Sequence, residues 1–169
     1  MKRSFLWLTV AFSLMFASCA SLSSLRGSSI GKNEETMSED FINPLKKTKF
    51  YLTSQFGPRI DPISRVPSNH NGIDMACSTG TPVYAVKSGV VEVSGWHNRY
   101  GNYIIIRHVG NYKSLYAHLS KLLTTKGDNV EQGEKIGLVG STGNSTGPHL
   151  HFEIILDGVQ HNPREFVDF

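Results

Sequence analysis

Residues 147–153 alternate strictly between polar and apolar side chains. A period of two is typical of a β-strand, in which neighbouring side chains point to opposite faces. The alternation predicts that His149 and His151 share one face while Leu150 and Phe152 point into a core. Two adjacent imidazoles repel each other when both are protonated, and a bound metal ion can hold one neutral while the other transfers protons. An edge strand with two surface histidines is the alternative interpretation of this motif alone.

Short apolar segments separated by turn residues continue through most of the chain, and no segment sustains the 3.6-residue period of a helix. Asp157-Gly158 predicts a two-residue hairpin turn into 159–160, and Pro163 predicts the start of one helical turn over 162–166. The predicted strands are 49–52, 72–75, 83–85, 89–93, 103–108, 113–117, 135–139 and 149–156. We therefore predict an all-β fold, an antiparallel sheet or barrel-like sandwich of short strands, with the metal site at a sheet edge.

Residues 1–18 are typical of an export signal. Lys2 and Arg3 precede a mostly apolar run of 12 residues, 5–16. As a helix this run would be about 18 Å long, too short for the roughly 30 Å hydrocarbon layer. The sequence Phe-Ala-Ser-Cys at 16–19 resembles a bacterial lipobox, with Phe16 where that pattern prefers Leu, and the resemblance implies a lipid on Cys19. We predict an exported protein that is lipid-anchored to a bacterial envelope membrane, with secretion as a soluble protein as the alternative.

Composition divides the chain after the signal into a tether and a folded domain. Residues 19–45, the lipidated Cys19 included, are Ser- and Gly-rich and then acidic, with few large apolar residues, which predicts a flexible tether. The remaining residues, 46–169, suffice for one domain with a sizeable core. Without Lys2 and Arg3 the chain has 15 basic and 14 acidic residues, a balance that gives no support for a nucleic-acid partner. Cys77 is the other cysteine, so a lipidated Cys19 leaves no disulfide framework.

Two further stretches supply candidate ligands. His70 and Asp74 are four positions apart and follow a loop rich in Pro and Ser, and His118 ends a predicted strand. A hydrolytic zinc site needs three ligands of mixed His and Asp type and one open position for the water that the metal activates. Spacing alone also allows the interpretation that His70 is an ordinary loop residue and Asp74 an ordinary first residue of a strand.

In combination these motifs resemble the lysostaphin/LytM-type zinc endopeptidases. The resemblance covers about 50–166 and is carried by His70-x-x-x-Asp74, Tyr116-Ala117-His118 and Gly143-x-Ser145-x-Gly147-Pro148-His149-Leu150-His151. It implies that His70, Asp74 and His151 bind one Zn²⁺. It also implies that His118 and His149 are the acid/base and transition-state partners. The sequence does not say which of the two is the base; we prefer His149, because its strand holds it beside His151.

The resemblance also implies a substrate, because the family cuts peptide bonds in bacterial cell-wall peptidoglycan. A chain of this kind would face the cell wall and hydrolyse peptide cross-links or stem-peptide bonds, and we expect it to act as a monomer. A non-catalytic activator or wall-binding module and a biotinyl- or lipoyl-like carrier are the alternatives. A carrier needs a modified lysine at a hairpin tip, and no Met-Lys or Asp-Lys turn is present.

Residues 143–147 also fit the Gly-x-Ser-x-Gly pattern of a serine hydrolase, with Asp157 and His161 in the matching order. That pattern requires a strand, a tight turn and a helix, whereas Pro148 leads here into a predicted strand. We therefore expect Ser145 to lie in a loop without a nucleophilic role. His97, His108 and His161 carry no matched spacing and are expected to be structural or solvent-exposed.

Overall fold

A computed structural model describes residues 41–169. The predicted signal at 1–18, Cys19 and most of the predicted tether lie outside the described residues. The strands are β1 (Tyr51–Ser54), β2 (Gly57–Ile60), β3 (Pro67–His70), β4 (Ile73–Ala76), β5 (Pro82–Tyr84), β6 (Gly89–His97), β7 (Gly101–Arg107), β8 (Tyr112–Leu122), β9 (Asn129–Val130), β10 (Lys135–Val139), β11 (His149–Leu156) and β12 (Val159–His161). Two single 3₁₀ turns cover Val109–Asn111 and Pro163–Glu165.

One large antiparallel sheet dominates this part of the chain. Its strands lie in the order β1-β4-β11-β8-β7-β6-β9, while β12 pairs with β11 and β10 pairs with both β5 and β8. A separate two-stranded sheet consists of β2 and β3. The predicted all-β antiparallel fold is therefore confirmed. No helix within residues 41–169 is long and apolar enough to cross a membrane.

The alternation in β11 has the predicted effect. Leu150, Phe152 and Ile154 are fully buried in the core, where they share a cluster with Ile73 and Met75 of the neighbouring strand β4. The opposite face is not a simple solvent face, since His151 is only 6% exposed and Glu153 only 1%. Both faces of β11 are thus covered, one by apolar side chains and the other by polar ones.

Local turn chemistry accounts for the C-terminal hairpin. Asp157 and Gly158 both have positive φ, 51° and 80°, which matches the two-residue turn whose twist suits antiparallel strands. Leu156 consequently pairs with Val159. The predicted closing turn is also present, and the side chain of Asn162 accepts a hydrogen bond from the backbone N–H of Arg164.

The folded region starts before the predicted boundary at residue 46. Leu45 is fully buried in the core, Phe41 forms a β-bridge with Val167, and the N–H of Ile42 donates to the carbonyl of Val86 at 3.0 Å. The predicted tether 19–45 is thus too long at its C-terminal end. Composition missed these residues because only a few apolar side chains, Phe41 and Leu45 among them, attach the segment to the core.

Candidate metal centre

Three side chains converge where two antiparallel strands meet the end of a hairpin. His151 on β11 lies directly opposite Asp74 on β4, and His70 ends β3, four residues before Asp74. His70 Nε2 lies 3.1 Å from Asp74 Oδ1 and 3.1 Å from His151 Nδ1, and His151 Nδ1 lies 2.8 Å from Asp74 Oδ1. All three residues are buried. The three atoms are close enough to one another to be bound by a single ion.

Hydrogen bonds at the far side of each ring define which nitrogens carry protons. His70 Nδ1 lies 2.8 Å from the carbonyl oxygen of Gln55, and His151 Nε2 lies 2.9 Å from Glu153 Oε1. Both partners accept, so the protons belong on these nitrogens and the converging nitrogens, His70 Nε2 and His151 Nδ1, present lone pairs. Two lone pairs and a carboxylate oxygen about 3 Å apart repel one another unless a cation lies between them. Two imidazoles and one carboxylate form a donor set that suits catalytic zinc.

The electrostatics of Asp74 favour the same conclusion. Burial alone would raise the pKa of Asp74, but the His151 and His70 rings, when protonated on the nitrogens that face it, donate hydrogen bonds and supply positive charge that hold this pKa well below its usual range. Burial alone would lower the pKa of His151, and Asp74 and Glu153 raise it instead. The second carboxylate oxygen of Asp74, Oδ2, is paired with Arg59 at 3.1 Å. The site therefore holds an ionised carboxylate and favours positive charge beside it.

His118 and His149 lie beside this cluster, with ring centroids 4.6 Å apart. His118 Nδ1 donates to the carbonyl of Thr142 and His149 Nδ1 donates to the carbonyl of Gly147, each at 2.8 Å. In the neutral rings both Nε2 atoms are therefore unprotonated. His149 Nε2 lies 3.7 Å from Asp74 Oδ1, so this ring is directly next to the candidate ligands.

An irregularity in strand β8 aims His118 at the site. His118 has a φ of 62°, in the left-handed region that non-glycine residues rarely adopt. The pairing with β7 shifts here: Asn102 faces Leu119 and Ile104 faces Tyr116, so two β8 residues occupy the space of one. Such a β-bulge re-aims a side chain. The N–H of His118 leaves the strand ladder and donates to the carbonyl of Tyr100 at 2.8 Å.

Burial has a marked effect on the His118 imidazole. Burial and, to a smaller extent, the nearby charges of His149 and His151 lower the pKa of His118 to about 4, against the opposing effect of the hydrogen bond to Thr142. His118 is consequently neutral at pH 7. A neutral imidazole with an unprotonated Nε2 can accept a proton.

All five predicted residues line one cleft, so the fold brings them together. The candidate metal centre lies inside the sheet and not at the sheet edge that we predicted. Asp74 and His151 lie on β4 and β11, which are neighbours inside the sheet, with β1 and β8 on either side. The alternation of β11 specifies a face of the sheet and contains no information about how many strands lie beyond it, so the edge expectation had no support from the motif.

Three residues around the site were assigned no role from the sequence. Glu153 and Arg59 contact the candidate ligands His151 and Asp74, and Tyr100 donates its hydroxyl proton to Glu153 Oε1 at 2.8 Å. Glu153 was accessible to the period-two argument, because it continues the face of His149 and His151. Arg59 and Tyr100 reach the site through tertiary pairing, so their contacts with Asp74 and Glu153 do not follow from the local sequence.

The serine-hydrolase pattern does not assemble. Ser145 Oγ donates to the carbonyl of Gly147 at 2.8 Å, while Asp157 accepts from Asn111 and His161 pairs with Ile154 in the C-terminal hairpin. Ser145 does line the cleft, as a loop residue. His97, His108 and His161 are not among the cleft residues.

The profile of Peptidase family M23 matches residues 68–163, more than half of the chain. The chain belongs to peptidase family M23. The peptidoglycan DD-endopeptidase ShyA of Vibrio cholerae is 42% identical over 128 residues. That alignment covers 75% of this chain and 30% of ShyA, so this chain spans about a third of the length of the curated relative.

Solved structures of M23 relatives share the fold. A zinc-containing peptidase from Vibrio cholerae has a TM-score of 0.68 and 42% identity, over 73% of this chain and 39% of the other. The catalytic domain of the antimicrobial peptidase lysostaphin from Staphylococcus simulans has a TM-score of 0.64 and 35% identity, over 69% of this chain and 90% of the other. Membership of this family and the donor set described above are consistent with each other.

Proposed function

We propose that this chain is a zinc-dependent endopeptidase that hydrolyses peptide cross-links or stem-peptide bonds of bacterial cell-wall peptidoglycan. The observation that carries the proposal is the convergence of His70 Nε2, Asp74 Oδ1 and His151 Nδ1 beside two further imidazoles in one open cleft. The similarity to ShyA, a peptidoglycan DD-endopeptidase, supports peptidoglycan as the substrate. All five residues come from one chain, which supports action as a monomer.

The three converging atoms would hold the metal. Zn²⁺ bound there supplies Lewis-acid activation of a water molecule and of the scissile carbonyl. The protein contributes a fixed ligand geometry, because each ligand is held on its outer side: His70 by the carbonyl of Gln55, Asp74 by Arg59, and His151 by Glu153.

His149 and His118 would move protons. We assign the base to His149, whose Nε2 lies 3.7 Å from Asp74 Oδ1 and whose Nδ1 proton is held by the carbonyl of Gly147. His149 would take the proton of the attacking water and pass it to the leaving amine. His118 would stabilise the negative charge that develops on the carbonyl oxygen by donating a hydrogen bond from Nε2. Its Nδ1 proton is held by Thr142, so the Nε2 proton would be taken up from solvent as that negative charge, which favours a cationic ring, develops.

Digestion of purified peptidoglycan, with zinc measured on the same samples, tests the proposal. The wild-type protein should bind one zinc and release peptide fragments that mass analysis identifies, and His151→Ala should lose both zinc and hydrolysis. His161→Ala is the matched control, since His161 lies outside the cleft, and it should keep both. A wild-type protein that binds the wall without cutting it would instead be a non-catalytic module, and a His151→Ala protein with full zinc would refute the ligand set.

Lipid anchoring through Cys19 is a separate part of the proposal, supported by the lipobox-like sequence at 16–19. One acyl chain binds a membrane only marginally and several chains anchor it stably. Cys19→Ser should release the protein into the soluble fraction, whereas the conservative change Cys77→Ser should leave it with the membranes. A wild-type protein that is soluble and carries no acyl label would be a secreted protein instead.

A further inference from the structure

Glu153 lies behind the candidate metal centre as a buried carboxylate. It is 1% exposed, and its Oε1 accepts two hydrogen bonds, from His151 Nε2 at 2.9 Å and from the Tyr100 hydroxyl at 2.8 Å. Its other oxygen, Oε2, has no hydrogen-bond partner within residues 41–169. Burying a carboxylate is costly unless its partners compensate for the lost hydration. Oε1, the oxygen that faces His151, accepts both of the hydrogen bonds that compensate Glu153 for its burial.

Tyr100 connects this carboxylate to the other half of the site. Its hydroxyl contacts Glu153, its ring lies 5.8 Å from the ring of His151, and its carbonyl accepts the N–H of His118. The Tyr103 ring stacks on the Tyr100 ring, with the ring centroids 5.7 Å apart. Tyr100 is thus held in place by its own neighbours and contacts both a candidate ligand and a candidate proton carrier.

The chemistry of a carboxylate decides how His151 is protonated. An ionised carboxylate can only accept hydrogen bonds, so His151 must carry its proton on Nε2 and present the lone pair of Nδ1 to His70 and Asp74. The Tyr100 hydroxyl donates to the same oxygen, which fixes that oxygen in the position that His151 needs. A glutamine at 153 could turn its NH₂ toward Nε2, and the His151 proton would then move to the nitrogen that the metal requires.

We propose that Glu153 and Tyr100 are positioning residues that hold His151 in its metal-binding tautomer. This inference rests on the ligand set of the proposed function. Neither residue needs to contact the metal or the substrate for this role. A purely structural role for the pair would change the stability of the protein without a specific change in the affinity for zinc.

Zinc affinity, measured by competition with a chelator, separates these roles. Glu153→Gln should weaken zinc binding about 10- to 100-fold, as loss of a ligand's outer partner typically does. Tyr100→Phe removes only the hydroxyl and should weaken it less. Tyr103→Phe is the matched control, since Tyr103 stacks on Tyr100 without contacting Glu153, and it should bind zinc like the wild type. Nitrogen chemical shifts of His151 should show the Nε2–H form in the wild type and its loss in Glu153→Gln.

Two results would overturn the inference. One is wild-type zinc affinity in both Glu153→Gln and Tyr100→Phe, with both proteins folded by near-ultraviolet circular dichroism. The other is weaker zinc binding in Glu153→Gln while His151 keeps the Nε2–H form. Peptidoglycan digestion by the wild type is measured separately. Loss of zinc in the variants of a wild-type protein that digests no peptidoglycan would leave this inference intact and remove the proposed function.

Arg99 brings a positive charge to the cleft independently of the metal site. Its side chain lines the cleft and is exposed, and its guanidinium has no hydrogen bond or ion pair within residues 41–169. Arg59, the other arginine of the cleft, is committed to Asp74 and Ser54. Asp61, also in the cleft, already accepts hydrogen bonds from Ile63 and Ser64.

The base of the Arg99 side chain is fixed. Its carbonyl accepts the N–H of Asn144 at 2.9 Å, in the loop that also contains Thr142, and its own N–H donates to the ring of His97 at 3.2 Å. We infer that Arg99 binds a free carboxylate of the peptide substrate, since guanidinium and carboxylate match in charge and geometry. This deepens the proposed function: it favours peptides with a carboxylate close to the scissile bond over neutral glycine bridges.

Matched peptides test this assignment. A cross-linked stem-peptide dimer is prepared with a free carboxylate next to the scissile bond and, as the matched substrate, with that carboxylate converted to an amide. The wild type should prefer the acid about tenfold in kcat/KM, mainly through KM, and Arg99→Ala should lose the preference while Arg107→Ala, outside the cleft, keeps it. Equal rates on acid and amide, or an unchanged preference in Arg99→Ala, would overturn the inference. Hydrolysis of neither peptide nor of peptidoglycan would instead remove the proposed function.

Discussion

His118 and His149 each hold one proton against a backbone carbonyl, so removing either ring removes a proton carrier and no proposed ligand. His118→Ala and His149→Ala should keep zinc and lose about 10²–10⁴-fold in turnover, or roughly 3–5.5 kcal/mol of barrier. Turnover on peptidoglycan and zinc content are measured on the same samples. If both variants keep zinc and near-normal turnover, His118 and His149 are not proton carriers. If a variant loses zinc, the replaced histidine is a metal ligand and the assignment of ligands and proton carriers is wrong.

The left-handed backbone of His118 gives a second prediction for single residues. His118→Gly should be more stable than His118→Ala by about 1–2 kcal/mol, because only glycine adopts a φ of 62° without strain. Position 149 is the control: it lies in a regular strand, where glycine should be less stable than alanine by about 0.5–1 kcal/mol. Urea unfolding of the four variants measures both differences. The same sign at both positions would mean that position 118 carries no backbone strain.

Single residues of the site were predictable to different degrees. His149 and His151 follow from alternation, and the resemblance supplied His70, Asp74 and His118. The nitrogen that each ring presents was not predictable, because it depends on partners such as Gln55 and Thr142 that are remote in sequence. The bulge at His118 was also hidden, since a period-two pattern assumes regular pairing.

Loop and strand packing around the cleft gives a prediction at the scale of the element. A Cβ on Gly143 would lie 2.2 Å from the backbone nitrogen of Gly101, and the φ of Gly143 is +71°. Gly143→Ala should therefore cost about 1–3 kcal/mol beyond the cost of its φ, and it should lower turnover because the neighbouring Thr142 carbonyl holds His118. Gly158→Ala, with a φ of +80° and open space around it, should cost about 1–2 kcal/mol and leave turnover unchanged. Chemical unfolding measures the loss of stability in each variant, and digestion of peptidoglycan measures turnover. Equal losses in Gly143→Ala and Gly158→Ala would contradict the packing argument.

A chain of polar contacts links the residue after β7, the residue before β6 and strand β8. His108 Nδ1 donates to the carbonyl of Ser88, and Nε2 lies 2.7 Å from Ser114 Oγ. Burial lowers the pKa of His108, and the charge of Lys87 lowers it further, against the opposing bond to Ser88. The folded state thus resists protonation that the unfolded state accepts below about pH 6.5.

The sign of the pH effect follows from this difference. Where the unfolded state binds more protons than the folded state, the free energy of unfolding decreases as pH falls. His108 should reduce the free energy of unfolding by up to about 1.4 kcal/mol per pH unit as pH falls from about 6.5 to its folded pKa. His108→Gln lacks this titration, so the difference between wild type and variant should shrink as pH falls. Unfolding from pH 7.5 to 5, with chelator in both proteins, measures it. A constant difference would show that His108 titrates alike in both states.

Elements were predictable where local pattern and tertiary role agree. The bounds of β10 and β11 match the prediction residue for residue, since alternation and flanking turns coincide there. β2, β3 and β9 were missed. The residues of β3, Pro-Ser-Asn-His, read as a loop, and they form a strand because β2 pairs with them in register. Such pairing is a tertiary effect that outweighs intrinsic preference.

At the scale of the whole molecule, the order of the strands in the sheet could not be predicted from the sequence. β4 and β11 are separated by more than seventy residues, yet their pairing places Asp74 opposite His151 and so forms the site. An alternating pattern identifies faces and does not identify partners. The all-β fold class was predictable, because many short strand patterns separated by turn residues are compatible with few other fold classes.

The size of the apolar core leads to the last prediction, on metal removal. The core extends across the sheet and includes fully buried apolar side chains such as Ile104, Ile136 and Phe152, none of which is a candidate ligand. Chelated protein should therefore stay folded and unfold cooperatively, at a lower Tm because zinc binds only the folded state. Its hydrolysis should vanish and return with added zinc. Circular dichroism and thermal unfolding with and without chelator measure this. Loss of the near-ultraviolet signal on chelation would show that the metal holds the fold together, in which case the loss of activity in ligand variants would reflect unfolding.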